Sequence, residues 1–332
     1  MSHFATEPIG APGAVGRMSH CATLIELPNG DLLTAWFSGA FETAPDQCIV
    51  VARRPVGSSD WTQPMPVVDT PGQADGQPVF LLDHGGVLWL YYVTLAGQDW
   101  TTARMMRRCS RDLGHRWEAA EALPMEEGFM FRSRPLDSSC LGQAGRWIFP
   151  IYDEKTWRSL MLISDDDGAT WRAGQFISTP VGNIHPCVVP LADGHLLAFL
   201  RTGGKGGYIW QTTSADGGES WATPVPTMLP NPNSGLDLLR LESGALVLAF
   251  NNSSQCRTPL CVALSDDEGF TWSHMQVLED AEGEFSYPTL IQSRCGHIHG
   301  VYTWQRQWIQ HVEFDEDWLR RGPARPRAGC LQ

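Results

Sequence analysis

His20, Gln77, Arg134, His185 and Tyr287 occupy matching places in the chain. Each stands nine to eleven residues before one of the glycines Gly30, Gly86, Gly145, Gly194 and Gly296, and Ser234 or Gly235 holds the same place before Gly244. A buried strand start would ordinarily be apolar, so polar groups in phase point to a shared site. Imidazole and phenol exchange protons. A guanidinium holds a planar anion such as a carboxylate through two parallel hydrogen bonds. A phenol becomes a nucleophile or base only with positive charge or a base beside it. Pro78, Pro135, Pro186 and Pro288 follow directly in four of the units, which predicts an extended backbone for the residue before each.

A second set of polar residues ends the strand that follows each glycine. It comprises Glu42 and Asp46, Asp153 and Glu154, Arg201, Asn251, and Trp304 with Arg306. Arg201 and Arg306 are candidate anion binders. The polar stretch 231–237 offers Asn233 and Asp237 to the same place, and Trp304 and Trp308 offer flat faces for sugar rings. His297 and His299 flank Ile298 and share a strand face, but no third ligand is evident, so no metal is expected. The glycines of 203–207 lack the GK[ST] signature and a following helix, and so read as a flexible loop over the site rather than a phosphate cradle. No cofactor motif is present. Cys21, Cys187 and Cys261 lie in apolar contexts and read as buried fillers.

These residues need elements that bring them to one point, and the repeats supply them. The pattern S-x-D-x-G-x-[TSR]-W occurs at Ser110–Trp117, Ser164–Trp171, Ser214–Trp221 and Ser265–Trp272, with Asp112, Asp166, Asp216 and Asp267 spaced by 54, 50 and 51 residues. Gly57–Trp61 is a degenerate relative. An Asp that bonds nearby backbone N–H groups, a Gly with positive φ and a Trp over an apolar seam make a hairpin, so these four Asp are structural and peripheral. Between these boxes lies an apolar strand, a turn ending in glycine and another apolar strand, six times over, at spacings of 56, 59, 49, 50 and 52 residues. Four antiparallel strands per fifty-residue unit is a propeller blade. The expectation is an all-β, six-bladed β-propeller, one domain over 1–332, with blades at about 15–66, 67–122, 123–175, 176–226, 227–277 and 278–315. The sixth unit has no Asp turn after Trp304, so a strand from the segment before Arg17 is expected to close it.

Composition narrows the function. Lys+Arg 24 against Asp+Glu 37 gives a net charge of −13, which disfavours nucleic acid as a partner. No apolar run approaches the roughly 18 residues that span a bilayer, so no membrane partner is expected. The opening MSHFATEPIGAPGAVG has neither a basic nor an apolar leader region. Nine cysteines without a CxxC pair argue against a disulfide framework. Together these predict a cytoplasmic location.

The Asp boxes, the six units and the starts at His20, Arg134 and Tyr287 resemble the sialidase superfamily, in particular its bacterial-neuraminidase-repeat (BNR) members, over roughly residues 15–315. In that family three arginines hold the sugar carboxylate, a tyrosine activated by a glutamate is the nucleophile, and an aspartate is the acid/base. A tyrosine nucleophile is a known exception among glycosidases. The resemblance implies Tyr287 as nucleophile, Arg134 and Arg201 as carboxylate binders, and Glu42 or Asp46 as acid. Two departures stand out: His20 in SHCATL replaces the first arginine, and no Glu adjoins Arg201 in AFLRTGG. A hydrolase of terminal, carboxylate-bearing sugars is therefore the leading expectation, with carbohydrate as partner. Three others stay open. One is β-elimination from a uronic acid, with His20, His185 and Tyr287 exchanging protons beside Arg134. Another is a non-catalytic sugar-binding propeller using Trp304 and Trp308. The last is a protein-binding scaffold, which requires exposed apolar patches.

Overall fold

In the computed structural model, which describes residues 2–321, the chain forms six antiparallel sheets. Five are consecutive: the first spans Met18–Glu26 to Met65–Val68, the second Asp75–Leu82 to Glu121–Ala122, the third Phe129–Phe131 to Arg172–Ala173, the fourth Asn183–Pro190 to Val225–Asn231, and the fifth Asp237–Arg240 to His274–Glu279. The sixth joins Phe285–Gln292, Ile298–Trp304 and Trp308–Phe314 to the N-terminal strand Phe4–Ile9. This is the expected six-bladed propeller of four-stranded blades. In the fifth blade the second and third strands, Leu246–Asn251 and Leu260–Ser265, are buried along their length. Packing on both faces explains why they read as apolar runs rather than alternations. Among the described residues no helix is long and apolar enough to cross a membrane.

The seams between blades hold the fold together. Six apolar clusters each bridge two neighbours; one packs Leu33, Ala35 and Ile49 of the first blade against Phe80, Leu90 and Tyr92 of the second. Another packs Ile9, Val301 and Ile309 of the sixth against Ala22, Trp36 and Val50 of the first. The Asp-box tryptophans cap these seams: Trp117 stacks on Phe80, Trp171 meets Tyr91 and Phe149 edge-on or tilted, and Trp272 tilts onto Phe199.

The four Asp boxes are the same hairpin four times. In each, the Ser Oγ donates to the Asp Oδ1 at 2.8 Å and accepts from the Gly N at 2.7–2.9 Å, while the Asp Oδ1 accepts from the backbone N four residues on. The glycines Gly114, Gly168, Gly218 and Gly269 have φ of 83–91°, which a Cβ would oppose. None of these groups contacts the axial residues described below. Ser164→Ala removes three hydrogen bonds, one of them buried, and is expected to cost about 1–2 kcal/mol in a denaturant melt while leaving ligand affinity at the axis unchanged. A loss of affinity at undiminished stability would contradict a structural role.

Closure is by the N-terminal segment, as expected. Phe4–Ile9 pairs antiparallel with Trp308–Phe314, from Phe4↔Phe314 to Ile9↔Ile309. The outer strand that an Asp-box hairpin supplies elsewhere comes here from the other end of the chain.

Candidate active site

The innermost strands share a local irregularity. Pairing slips between His20 and Thr23, Gly76 and Val79, Ile184 and Cys187, and Ser286 and Thr289. The residue at each bulge has positive φ: Cys21 56°, Gln77 52°, His185 51° and Tyr287 55°. The extended backbone expected before Pro78, Pro186 and Pro288 is therefore corrected. These residues are left-handed, a strained conformation for side chains with a Cβ, held in place by the paired strand on either side. The phase of the first blade also shifts by one. Cys21, not His20, is the equivalent of Gln77, His185 and Tyr287, and its thiol donates to Gln77 Oε1 at 2.8 Å. Burial pushes that thiol up to about 11.

Four bulges around one axis bring the aromatic groups together. The Tyr287 ring lies 4.4 Å from His20 and 5.3 Å from His185, centroid to centroid. His185 Nε2 meets Tyr152 Oη at 3.1 Å, and His20 Nδ1 meets Thr303 Oγ1 at 2.9 Å. Gly235 lies against both rings: a Cβ there would be 3.3 Å from His185 Nδ1 and 3.4 Å from Tyr287. Burial, then the surrounding arginines, hold both imidazoles well below the usual range, so they are neutral.

Positive charge gathers around the phenol. Arg201 Nη1 donates to Tyr287 Oη at 2.9 Å. The guanidinium groups of Arg132, Arg257 and Arg201 stand 5.3, 5.4 and 5.7 Å from the Tyr287 ring centroid. Arg306 joins through Glu284, which it and Arg257 share at 2.9 and 2.7 Å. Burial pushes the Glu284 carboxyl up, but the charges of Arg257 and Arg306 outweigh it and hold it below the usual range. Asn233 orients two of these cations, its Oδ1 accepting from Arg201 Nε at 2.8 Å and its carbonyl from Arg257 Nη2 at 3.3 Å. Among the described residues Arg201 Nη2 and Arg306 Nη2 make no hydrogen bond, which leaves donors for a bound anion.

Carboxyl groups complete the rim. Glu42 accepts from Trp100 Nε1 at 3.1 Å and from Arg306 Nη1. Glu154 is pushed up to about 7 by burial, against the charge of Arg201 and helped by Asp153, Glu42 and Asp99.

Residues 30–300 match the family model for the BNR repeat-like domain. The chain belongs to that family. It is a BNR-repeat, six-bladed propeller of the sialidase superfamily, with distant sialidase homologues. A sialidase of Micromonospora viridifaciens is 30% identical over 49% of this chain, and the match covers 26% of that protein. The chain thus aligns with about a quarter of the length of the curated relatives it matches. Among solved structures, a protein of unknown function from Dyadobacter fermentans superposes with a TM-score of 0.77 at 18% identity, covering 93% of this chain and 97% of that one. The NanB sialidase of Streptococcus pneumoniae superposes with a TM-score of 0.79 at 14% identity, covering 94% and 70%. At these identities the superpositions speak for the fold.

In this BNR propeller the residues singled out from the sequence divide into two groups. His20, His185, Tyr287, Gln77, Arg201, Asn233, Arg306 and Glu42 converge on the axis or its rim. Arg134 and Asp237 do not. Arg134 donates to Asp237 Oδ2 at 2.7 Å and to the carbonyls of Leu290 and Leu238, and Asp237 also accepts from Leu290 N. Arg134 lines a cleft with the turn residues Gly194, Glu242 and Gln292, toward the other end of the inner strands. A side chain whose donors are consumed by a buried carboxylate and two carbonyls is a brace, which corrects the expectation that it shares a cavity with Tyr287. Asp46 is exposed and caps its own loop at Ala40 N, 3.2 Å. Trp304 and Trp308 stack on each other at 3.8 Å, so each offers at most one face to a sugar. Two of the glycines of 203–207, expected as a flexible loop, are required by close approach: a Cβ on Gly206 would sit 2.3 Å from Ser254 O, and on Gly203 2.2 Å from Val181 O.

Sequence reasoning missed Arg132, Arg257 and Glu284. Arg132 lies two residues before the position in phase, because the third inner strand is interrupted between Phe129–Phe131 and Leu136–Asp137. Arg257 lies in the loop between Leu246–Asn251 and Leu260–Ser265, where no repeat signal reaches. Glu284 immediately precedes the last inner strand, in the GEFSYPTLI segment that holds Tyr287, and that neighbourhood was its one available signal.

Proposed function

We propose that the protein is a glycoside hydrolase acting on a terminal, carboxylate-bearing sugar, with Tyr287 as nucleophile. The observation that carries this reading is the convergence of Arg201, Arg257 and Arg132 on the Tyr287 phenol, with free donors on Arg201 and Arg306 beside it. A phenolate needs compensating charge, and a sugar carboxylate needs planar donors; one set of guanidinium groups supplies both. Arg201, Arg257 and Arg306 take the place of the family's three carboxylate-binding arginines. The substitution of His20 for the first of them leaves the set displaced rather than short.

In the proposed reaction the phenolic oxygen attacks the anomeric carbon, its proton passing to solvent and returning when Tyr287 is freed, and the glycosidic bond breaks. The leaving oxygen takes the proton of Glu154, whose raised pKa keeps it protonated near neutrality, in contrast to Glu42, which is tied to Arg306. Water then attacks the glycosyl–tyrosine carbon, gives its proton to the Glu154 carboxylate, and frees Tyr287. His20 and His185, neutral and buried, pack the phenol in place. The β-elimination alternative asks one of them to act as a base. Their depressed basicity disfavours it.

The test is a panel of sialyl, uronyl and neutral glycosides. The expected result is a new reducing end from a carboxylate-bearing glycoside without ultraviolet absorbance. Absorbance from an unsaturated uronate would make the protein a lyase, and binding without turnover would make it a sugar-binding propeller.

Glu154 gives the pH dependence. Its folded-state pKa is raised from 4.5 to about 7, so the folded chain holds this proton more tightly than the unfolded one. Its contribution is most favourable below about 4.5 and is lost as pH rises from there through about 7, by roughly 3 kcal/mol. Glu154→Gln is expected to melt higher than the native chain at pH 8 and alike at pH 4, and native kcat should fall above about pH 7. Parallel melting curves at all pH values would remove Glu154 from this role.

A further inference from the structure

The outer edge of the sixth blade, far along the sheet from the axis, gathers imidazoles that the proposed reaction does not use. His297, read from the sequence as half of a pair without a third ligand, lies with its Nδ1 2.7 Å from Glu313 Oε1. His3, from the opposite end of the chain, brings its Nε2 to 3.5 Å from the same oxygen. The His3 and His297 rings stack at 5.0 Å and 21°. All three ligand atoms fall within 4.8 Å of one another. His3 Nε2 is shielded from solvent and makes no hydrogen bond, although it faces a carboxylate.

We propose that His3 Nε2, His297 Nδ1 and Glu313 Oε1 form a binding site for a zinc-class divalent cation that clamps the closing N-terminal strand to the sixth blade. Two imidazoles and one carboxylate suit zinc or cobalt rather than calcium or magnesium, which prefer all-oxygen shells. Zinc bonds of about 2.0–2.2 Å at tetrahedral angles put ligand atoms about 3.3–3.5 Å apart. His3 is already at that distance from Glu313, 3.5 Å, and His297, at 2.7 Å, need part from it by only about 0.6–0.8 Å. The cation would take the place of the hydrogen between His297 Nδ1 and Glu313 Oε1, the neutral ring then carrying its hydrogen on Nε2.

The second carboxylate oxygen is already held. Glu313 Oε2 accepts from Arg54 Nη2 at 3.0 Å and lies 3.7 Å from His299 Nδ1. His299 in turn meets His311 Nε2 at 3.2 Å, and His311 Nδ1 meets Glu7 at 3.2 Å. This network fixes Oε1 toward His3 and His297, as outer partners do for metal ligands. His3 and Glu313 line a cleft of about 500 Å³, so a fourth coordination position is open to water. The placement gives the site a purpose. His3 directly precedes the Phe4–Ile9 strand, whose pairing with Trp308–Phe314 closes the ring, so a cation there ties the first residues of the chain to its last strand.

The full chain, stripped with a chelator, would be titrated with zinc chloride by calorimetry and with cobalt chloride by visible absorption. The expected result is one ion per chain at micromolar or tighter affinity, a tetrahedral cobalt spectrum, and a melting temperature raised by at least about 3 °C at a hundredfold excess over Kd. His3→Ala loses no hydrogen bond of its ring and should melt like the metal-free native chain. It should weaken zinc binding at least about tenfold and abolish the thermal shift. His297→Ala should do the same, whereas His115→Ala, an exposed imidazole on another blade, should change nothing. Zinc binding that is absent from the native chain, or that survives either His3→Ala or His297→Ala undiminished, overturns the proposal.

Discussion

Tyr287→Phe is expected to fold as the native chain does and to lose a factor of roughly 10² or more in kcat. The substitution keeps the ring that packs 4.4 Å from His20 and 5.3 Å from His185, and it keeps the surface over which three guanidinium groups stand. It deletes one oxygen, and with it the 2.9 Å bond from Arg201. Stability should therefore change little, since Arg201 retains Asn233 and its contact with His185. Rates on the carboxylate-bearing substrate, measured at saturation, separate nucleophilic from packing roles. A Phe variant with near-native kcat would leave Tyr287 a binding residue and would withdraw the proposed reaction.

Arg134→Met should act on stability instead, lowering it by about 3–5 kcal/mol. The reason is the partner left behind: Asp237 is 3% exposed, and without Arg134 its carboxylate is buried with one backbone N–H as its remaining donor. Removing one half of a buried ion pair costs far more than the pair contributes. The double variant Arg134→Met/Asp237→Asn keeps an acceptor for Leu290 N while removing the charge, and should recover much of the loss in an equilibrium denaturant melt. A carboxylate-binding Arg134 predicts the opposite pattern, an unchanged melt and a raised KM, and that outcome would return it to the site.

The contrast between these two residues shows why only part of the site could be read along the chain. Both stand before a proline and nine to eleven residues ahead of a turn glycine, so their phase is the same. Tyr287 sits at a regular bulge, between paired stretches on either side. Arg134 sits where the third inner strand breaks, and there the phase is lost, so that Arg132 reaches the phenol and Arg134 reaches past it to Asp237. In the first blade the same counting lands on His20 when the bulge falls on Cys21, and His20, the residue before that bulge, nonetheless lies 4.4 Å from the Tyr287 ring.

The blade was legible in the chain. Its turn glycines, its Asp-Gly-Trp hairpins and its apolar strands are local chemistry, each satisfied within a few residues, and a local pattern repeated six times leaves a closed ring as the arrangement that buries every seam. The same periodicity placed Tyr287, His185 and Gln77 at equivalent points around that ring. Which cations meet there, and which carboxyl carries a proton, is settled by the folded molecule. Arg257 comes from an outer loop, Arg306 from a turn between strands, and Glu154 owes its raised pKa to burial among groups from other blades. Charge interactions act across the axis between residues that share no local pattern, so their energies are set by distance and burial and leave no period in the chain.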